Sequence, residues 1–349
     1  MNAYDVVVIG AGQAGLAAGY FLKQKGASFV LLDQRNKAGD IWRERYDSLV
    51  LFTPRFYSAL PGLPLEGKRD GYATKDEFAG YFESYAKHLD LPILFQTHVS
   101  KLTKADNGFL IQTNWGELSA AAVIVATGPF QKPLIPQMAL SLSNDVFQIH
   151  TANYRNASQL QEGPVLVVGA GNSGAQIAVE LAQQHDVTLS VGHKIKFMPV
   201  QLMGKSIFWW FGKLGIYEAS VHSFLGKRLR KQPDPIFGHE LKALLHKGGI
   251  QLKPRAEAIL GDTVSFADRT SIRASNIIWA TGFTQDYGWI DIPEAFDAKG
   301  KPLHQRGKSP VAGLYFVGMP WQHNRASALI GGVGKDAEYV VNHLITKPL

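Results

Sequence analysis

The chain has 349 residues, with 36 Lys and Arg against 29 Asp and Glu and a formal net charge of +7. Hydrophobic residues make up 46% and charged residues 19%, a composition that excludes an intrinsically disordered chain. Cysteine is absent, which excludes disulfide frameworks, thiolate metal sites and dithiol redox chemistry. At about 150 residues per domain, the length predicts two domains.

The sequence also bears on membranes and nucleic acids. No apolar run approaches the roughly 18 residues that cross a bilayer, and residues 1–5 lack the basic region of a signal peptide. We therefore expect a cytoplasmic protein without a membrane span. Basic residues are scattered except for a cluster at 227–231, and no zinc-finger spacing or RNA-recognition motif is present. Neither a nucleic-acid partner nor a metal site is predicted.

An aromatic segment with flanking lysines, residues 196–213, allows two interpretations. It could lie on a membrane interface. The favoured interpretation is an insertion that packs over a cleft or forms a contact in a homodimer, so a homodimer is an open expectation.

Two segments share one pattern, in which an apolar strand leads through a glycine turn into a helix. Residues 4–9 precede a G-x-G-x-x-G turn at 10–15, and residues 164–168 precede a second one at 169–174. The first glycine allows the tight turn, the second lets the backbone approach a pyrophosphate, and the third lets helix and strand pack closely. The pair predicts two dinucleotide-binding units.

The end of the next strand distinguishes the two units. Asp33 lies 23 residues after Gly10, where a carboxylate can accept hydrogen bonds from both ribose hydroxyls, as FAD requires. The same offset in the second unit falls within residues 191–194, which contain His193 and Lys194 but no acid. These groups favour the 2′-phosphate of NADP, although a surface lysine without a role is the alternative. Because this segment has no arginine, loose phosphate recognition and acceptance of NADH are expected.

Two later strand ends also match each other. Residues 123–128 and 277–283 each contain a Thr-Gly turn after an apolar strand, as in the last strand of a dinucleotide-binding sheet. A final strand at 313–318 precedes a predicted glycine-rich helix at 326–332, whose N-terminus would stabilise negative charge on a bound ligand.

These elements predict an α/β fold with two Rossmann-like dinucleotide-binding domains, the NADP domain being inserted in the FAD domain. The FAD-binding domain is predicted to comprise residues 1–156 and 281–349. The NAD(P)H-binding domain is predicted to comprise residues 157–280.

Further motifs cover nearly the whole chain, at residues 39–42, 45–49, 60–64, 75–77 and 318–321. With the two glycine turns, they make the sequence resemble the flavin-containing monooxygenases, which have the glutathione-reductase-like fold. More narrowly, it resembles the short bacterial members that are related to Baeyer–Villiger monooxygenases.

The linker motif of that family, F-x-G-x-x-x-H-x-x-x-[YFW], is half present. His150, Tyr154 and Arg155 match, whereas Asn144 and Val146 stand at the phenylalanine and glycine positions. Tyr154 favours the flavin-containing monooxygenase branch, because Baeyer–Villiger enzymes have tryptophan there. The unmatched half leaves the subclass open.

The resemblance implies FAD and NADPH as cofactors, with NADH as an open alternative. The residues expected to bind FAD are Gly10, Gly12, Gln13, Ala14, Gly15, Asp33, Gln34, Gly39, Trp42, Arg43, Val99, Thr127, Gly128, Gly318 and Gln322. Those expected to bind NAD(P)H are Gly169, Gly171, Asn172, Ser173, Gly174, His193, Lys194, Thr281 and Gly282.

The resemblance also implies the chemistry. NADPH reduces the flavin, O2 adds to form a C4a-(hydro)peroxyflavin, and one oxygen atom goes to a small soft nucleophile such as a sulfide or amine, or to a ketone. Family members often have an asparagine beside the flavin where Phe52 stands here, so Phe52 is either an active-site departure or a core aromatic residue. Asn324, in a polar stretch after the last strand, is the second candidate to face the flavin and substrate.

A disulfide reductase of the same fold needs cysteines, which this chain lacks, so that function is excluded. Three functions remain. A monooxygenase is the favoured hypothesis. An NAD(P)H oxidase or quinone reductase needs the same two nucleotides, and a flavin-bearing redox sensor or accessory protein needs no substrate at all.

Overall fold

The computed structural model describes residues 2–346. Met1 and residues 347–349, which fall within the predicted FAD-binding ranges, lie outside the described residues. The described helices are α1 (Gln13–Gln24), α2 (Asp40–Arg43), α3 (Lys75–His88), α4 (Asn172–Leu181), α5 (Ile207–Lys213), α6 (Phe224–Arg230), α7 (Glu240–Lys247) and α8 (Ile330–Thr346). Short 3₁₀ turns occur at Arg55–Tyr57, Gln137–Ser141, Ala157–Gln159 and Pro293–Ala295.

The strands are short, and most belong to one of two sheets. Up to residue 150 they are β1 (Asn2–Ile9), β2 (Phe29–Leu32), β3 (Val50–Pro54), β4 (Tyr72–Thr74), β5 (Ile93–Leu94), β6 (Val99–Ala105), β7 (Gly108–Thr113), β8 (Gly116–Val125), β9 (Lys132–Pro133) and β10 (Phe147–His150). The next are β11 (Val165–Val168), β12 (Val187–Ser190), β13 (Phe197–Met198), β14 (Gln201–Leu202), β15 (Lys205–Ser206), β16 (Ile236–Phe237) and β17 (Gln251–Lys253). The last are β18 (Ala256–Leu260), β19 (Thr263–Phe266), β20 (Ser271–Arg273), β21 (Asn276–Trp279), β22 (Phe283–Thr284), β23 (Ile290–Asp291) and β24 (Leu314–Phe316).

The larger sheet has eight strands in the order β23-β6-β7-β8-β1-β2-β5, with β24 also paired to β8. Around the first glycine turn all pairs are parallel: β1 pairs with β2 and β8, β2 with β5, and β8 with β24. Its strands come from two separate parts of the sequence, since β1, β2 and β5–β8 precede the strands of the second sheet and β23 and β24 follow them. The central strands are nearly continuous apolar runs because helices and loops cover both faces.

The second sheet is parallel throughout, in the order β10-β21-β11-β12-β17. It repeats the order β24-β8-β1-β2-β5 of the first, so each glycine turn follows a central strand. Each half of the fold also has three consecutive antiparallel strands, β6–β8 within the larger sheet and β18–β20 as a separate sheet. The predicted α/β class with two Rossmann-like sheets is confirmed. Strand β10 precedes residue 157 and nevertheless belongs to the second sheet.

Side chains fix where two of the helices begin. The motif at residues 75–77 opens α3, where Thr74 Oγ1 accepts from the Glu77 N–H and Glu77 Oε2 accepts from the Thr74 N–H. The last helix begins at Ile330 rather than at residue 326. Asn324 and Ser327 explain the difference, because their side chains hydrogen-bond to backbone N–H groups and hold residues 323–327 in a turn.

The two sheets are joined by short paired segments. Strand β9, which follows the first Thr-Gly turn, pairs antiparallel with β22, which follows the second. No helix in the described range is both long and apolar enough to cross a membrane.

Candidate functional site

The first glycine turn connects β1 to α1, and its three glycines meet different surroundings. Gly10 has φ +103°, and a Cβ there would lie 2.7 Å from the Ala126 oxygen. A Cβ at Gly15 would lie far too close to the Gly10 oxygen, so the third glycine allows the helix to pack on the turn. A Cβ at Gly12 would meet nothing within 4 Å. The second glycine therefore faces open space at the N-terminus of α1.

Asp33 lies immediately after β2, beside this turn. Its Oδ2 accepts from the Ala11 N–H at 2.8 Å, and its Oδ1 accepts from the Arg35 N–H at 2.9 Å. The two backbone bonds fix the carboxylate next to the open space at Gly12. This is the arrangement expected for binding the ribose of an adenine dinucleotide.

Most of the predicted FAD residues line one cavity of about 320 Å³. It brings together Gly10, Gly12, Gln13, Ala14, Asp33, Gln34, Gly39, Val99, Thr127, Gly128 and Gly318. Sequence reasoning missed three basic residues that also line it, Arg35, Lys37 and Lys132. Each pairs with an acid. Arg35 and Lys37 lie on the loop after β2 and Lys132 lies in β9, so the three form no local motif in the sequence.

Four predicted FAD residues lie outside that lining. Gly15 acts through packing, as described above. The Arg43 guanidinium donates to Asp40 at 2.9 Å and to Glu83 at 2.6 Å, so its charge is already paired with two protein carboxylates. Trp42 packs edge-on against Phe78 and Gln322 is buried. Within the described residues, Trp42 Nε1 and Gln322 Nε2 are buried donors without a hydrogen-bond partner.

The second glycine turn, between β11 and α4, repeats the geometry of the first. Gly169 has φ +107°, and a Cβ there would lie 2.4 Å from the Ala280 oxygen. A Cβ at Gly174 would lie 2.1 Å from the Gly169 oxygen, whereas one at Gly171 would meet nothing within 4 Å. Asn172 fixes a neighbouring loop, because its amide donates to the Pro235 carbonyl and its oxygen accepts from the Phe237 N–H.

The predicted phosphate-binding residues lie beyond the end of β12. His193 and Lys194 are exposed there, next to Gly192. The segment has no arginine of its own, but the Arg255 guanidinium of the adjacent chain segment lies against Gly192. Sequence reasoning missed Arg255 because nothing local relates it to a residue more than sixty positions earlier.

The two Thr-Gly turns form contacts between the linking segments. Thr281 Oγ1 donates to the Leu134 carbonyl, and the Gly282 carbonyl lies 3.0 Å from His150 Nε2. His150 Nδ1 accepts from the Ala152 N–H, so the imidazole is neutral with its proton on Nε2. Burial lowers the pKa of His150, which agrees with this state.

Helix α4 is also held by the segment that follows α2. The Tyr46 hydroxyl donates to Gln176 Oε1 at 2.7 Å, and Ser48 donates to Glu180. The buried Tyr154 of the linker motif donates to the other oxygen of Glu180 at 2.8 Å. Ser173, a predicted NAD(P)H residue, lies exposed in the first turn of this helix, near Tyr46.

Phe52, in β3, packs against aromatic residues of α5 and β16. Its ring stacks on Phe237 with centroids 4.7 Å apart and faces Phe208 at 6.1 Å. It lines a second cavity of about 520 Å³ together with Asn172 of the second glycine turn. The phenyl ring of Phe52 is an apolar part of the cavity lining and offers no hydrogen bond to a ligand.

Asn324 is buried, and its side-chain oxygen accepts from the Ala326 N–H at 2.9 Å. Its carbonyl group therefore stabilises the turn before α8. A contact of Asn324 with flavin or substrate stays a prediction. No group of three or more His, Asp or Glu residues suited to a metal ion occurs in the part of the chain that the structure describes.

Comparison with known proteins agrees with this geometry. The model of the family "Pyridine nucleotide-disulphide oxidoreductase" matches residues 7–200. An uncharacterized CzcO-like oxidoreductase of Geobacillus kaustophilus is 60% identical over 341 residues, which cover 98% of each chain. The indole-3-pyruvate monooxygenase YUCCA4 of Oryza sativa is 26% identical, with 98% of this chain and 87% of the relative covered.

Among solved structures, a flavin-containing monooxygenase from Stenotrophomonas maltophilia is similar, with a TM-score of 0.84, 26% identity and 99% of both chains covered. The resemblance predicted from the sequence motifs is thus confirmed. The chain belongs to the pyridine nucleotide-disulphide oxidoreductase family, as an oxidoreductase with the fold of the flavin-containing monooxygenases.

Proposed function

We propose that this oxidoreductase is a monooxygenase that uses FAD, NADPH and O2 to oxygenate small soft nucleophiles, sulfides and amines first and ketones second. One observation carries the nucleotide part of the proposal, and the printed names of two relatives, given below, favour oxygenation over an oxidase. Two sheets of the same topology each present a glycine turn with an open second glycine, and only the first has a carboxylate at the ribose position. Such a pair suits one tightly held nucleotide and one exchangeable hydride donor.

The residues of the first turn fit FAD. The space at Gly12 is what a Cβ would fill, and the N–H groups that begin α1 have no side-chain cap. A pyrophosphate there would accept from these N–H groups. Of the residues predicted for the FAD-binding domain, 1–156 and 281–349, we assign the described ones to the part that holds FAD, apart from β10 of the second sheet.

The residues of the second turn fit NAD(P)H, and we assign residues 157–280 to its binding. Gly171 leaves the N-terminus of α4 open, and α4 has no side-chain cap either. The printed names of two relatives support monooxygenase chemistry, since the rice protein is an indole-3-pyruvate monooxygenase and the Stenotrophomonas protein a flavin-containing monooxygenase.

When bound, FAD supplies the chemistry, because it accepts hydride from NADPH and passes electrons to O2. The chain's own residues bind, orient and exclude water. Phe52 and Phe237 stack as an apolar wall on one side of the second cavity, with buried Phe208 packed behind them, and this wall keeps water from that side. Dithiol transfer is excluded because the chain has no cysteine. A cytoplasmic location and a homodimer stay predictions.

The test is to supply the FAD-loaded protein with NADPH and ¹⁸O2 in the presence of methyl phenyl sulfide, a tertiary amine or a cyclic ketone. The expected result is a product that contains one ¹⁸O atom, with less hydrogen peroxide formed than NADPH consumed. A matched control is Gly171→Ala, which should keep FAD but lose NADPH oxidation.

The other outcomes identify the competing functions. Peroxide formation equal to NADPH consumption, with no labelled product from any probe, would indicate an oxidase. NADPH oxidation that needs an added quinone would indicate a quinone reductase, and no NAD(P)H oxidation at all would indicate a sensor. Each of these results contradicts the proposal.

A further inference from the structure

The ends of β2 and β12 can be compared residue by residue, because both strands pair with the strand before a glycine turn. The Gly10 N–H donates to the Leu32 carbonyl, and the Gly169 N–H donates to the Ser190 carbonyl. Leu32 and Ser190 are therefore equivalent, and the position of Asp33 is taken by Val191 in the second sheet. The count from the glycine turn predicted Gly192, one residue later. With valine there, no carboxylate can bind the ribose hydroxyls.

A second chain segment is fixed beside this strand end. The Ser190 hydroxyl donates to the Pro254 carbonyl at 2.8 Å and accepts from the Ala256 N–H at 3.1 Å. The Val191 N–H donates to the Lys253 carbonyl at 2.9 Å. Ser190 is buried, so these bonds hold Arg255, between Pro254 and Ala256, opposite the residues that follow β12.

The Arg255 guanidinium lies beside Gly192. A Cβ built on Gly192 would be 3.2 Å from Arg255 Nη2 and 3.3 Å from Nε, so a side chain at this position would shift the guanidinium by a few tenths of an ångström. Arg255 is exposed, as are His193 and Lys194. Across the described residues 2–346, no carboxylate forms an ion pair with any of these three side chains.

This arrangement has the chemistry of a phosphate site. A guanidinium presents donors in a planar fork that matches phosphate oxygens, and a phosphate monoester carries close to two negative charges at neutral pH. Arg255 and Lys194 supply two cations without competing acids, and His193 adds a ring nitrogen that can donate. His193 and Lys194 follow β12 and Arg255 lies beside Gly192, so all three belong to the strand end where the adenosine ribose lies in a dinucleotide-binding sheet.

We propose that Arg255, together with His193 and Lys194, binds the 2′-phosphate of NADPH and makes the enzyme select NADPH over NADH. The inference rests on the proposed function, because it concerns the nucleotide that the second glycine turn accepts. It replaces the expectation of loose recognition, which followed from the absence of arginine in residues 191–194. Arg255 is a specificity residue and takes no part in the oxygenation.

The test uses the FAD-loaded protein and two redox-inactive probes, adenosine 2′,5′-bisphosphate and 5′-AMP, whose affinities are measured by calorimetry. Wild-type protein should bind the bisphosphate more tightly. Arg255→Gln should weaken bisphosphate binding by about 10- to 100-fold, the range of a charge-assisted hydrogen-bond pair, and change 5′-AMP binding by less than about 2-fold. Arg273→Gln is the matched control, since Arg273 is an exposed arginine of β20 that faces Asp262.

A second variant, Gly192→Ala, keeps every charge but adds a methyl group that crowds the Arg255 guanidinium at 3.2 Å from Nη2. It should lose part of the bisphosphate affinity, while Arg255→Lys should retain part of it. In turnover, Arg255→Gln should lower kcat/KM for NADPH and leave kcat/KM for NADH unchanged, which a general structural defect would not do.

The experiment distinguishes a failure of this inference from a failure of the proposed function. Equal bisphosphate affinity in wild type and Arg255→Gln, or equal wild-type affinity for the two probes, overturns the inference and leaves the proposed function intact. Wild-type protein that binds neither probe and oxidises neither NADPH nor NADH overturns both. Loss of 5′-AMP binding in Arg255→Gln also overturns the inference, because it would show a role in holding the fold of the site.

Discussion

Asp33, directly after β2, and Val191, directly after β12, occupy equivalent positions in the two sheets. In the first sheet the carboxylate accepts from two backbone N–H groups, and in the second the aliphatic side chain can accept from none. The same backbone thus carries two different recognition chemistries. We assign the difference to a ribose with free hydroxyls on one side and a phosphorylated ribose on the other.

Replacing Asp33 with Asn should weaken FAD binding while preserving the shape of the site. The amide keeps one acceptor oxygen, loses the hydrogen bond to either the Ala11 or the Arg35 N–H, and loses the charge that strengthens bonds to ribose hydroxyls. We expect roughly a 10-fold lower affinity, measured by titrating the apoprotein with FAD and following flavin fluorescence. Asp5→Asn is the control, since Asp5 accepts from the Ser28 N–H early in β1. Equal losses in both variants would contradict the role of Asp33.

The two open glycines should separate the two nucleotides. Gly12→Ala and Gly171→Ala add a methyl group that meets no protein atom within 4 Å, so both proteins should fold with nearly unchanged stability. The first should lose bound FAD, measured by its visible absorbance. The second should keep FAD and lose affinity for NADPH, measured by calorimetry, because each methyl group would stand where a pyrophosphate approaches the backbone.

Gly15→Ala is the contrasting variant. Its methyl group would lie against the Gly10 oxygen, so this protein should be destabilised whatever ligand is present. Retention of FAD by Gly12→Ala, or loss of FAD from Gly171→Ala, would contradict the assignment of the two turns.

Much of the fold could be predicted from the sequence, because strand, glycine turn and helix are local features. The placement of Asp33 followed from its distance to Gly10 alone. Contacts between distant segments could not be predicted in this way. Arg43 is engaged by Glu83 of another helix, and Arg255 reaches Gly192 from the segment between β17 and β18. Both depend on the order of strands and helices in space, which no local pattern records.

Tyr154→Phe should destabilise the junction between the linker and α4. The phenol is fully buried and donates to Glu180, so its removal leaves a carboxylate oxygen with one partner fewer. We expect a loss of about 1–3 kcal/mol in the free energy of unfolding, measured by urea denaturation. Tyr20→Phe removes only an exposed bond to Gln24 and should change stability by less than about 0.5 kcal/mol. Equal effects of the two variants would contradict the prediction.

Tyr46 should make the stability of the protein fall in alkaline solution. Burial raises the pKa of Tyr46 from 10.0 to about 12, so the folded protein keeps the proton at pH values where the unfolded chain loses it. The contribution is complete below pH 10 and is lost as the pH rises from there through 12. Between pH 9 and 11, Tyr46→Phe should therefore lose about 1 kcal/mol less stability than wild type, as measured by urea denaturation. Tyr46→Phe removes both the hydrogen bond to Gln176 and the ionisable hydroxyl. Gln176→Ala separates these two effects, because it removes the hydrogen bond and keeps the phenol. It should be less stable than wild type at both pH values and retain most of the wild-type pH dependence. An identical pH dependence in wild type and Tyr46→Phe would mean that Tyr46 ionises alike in the folded and unfolded states.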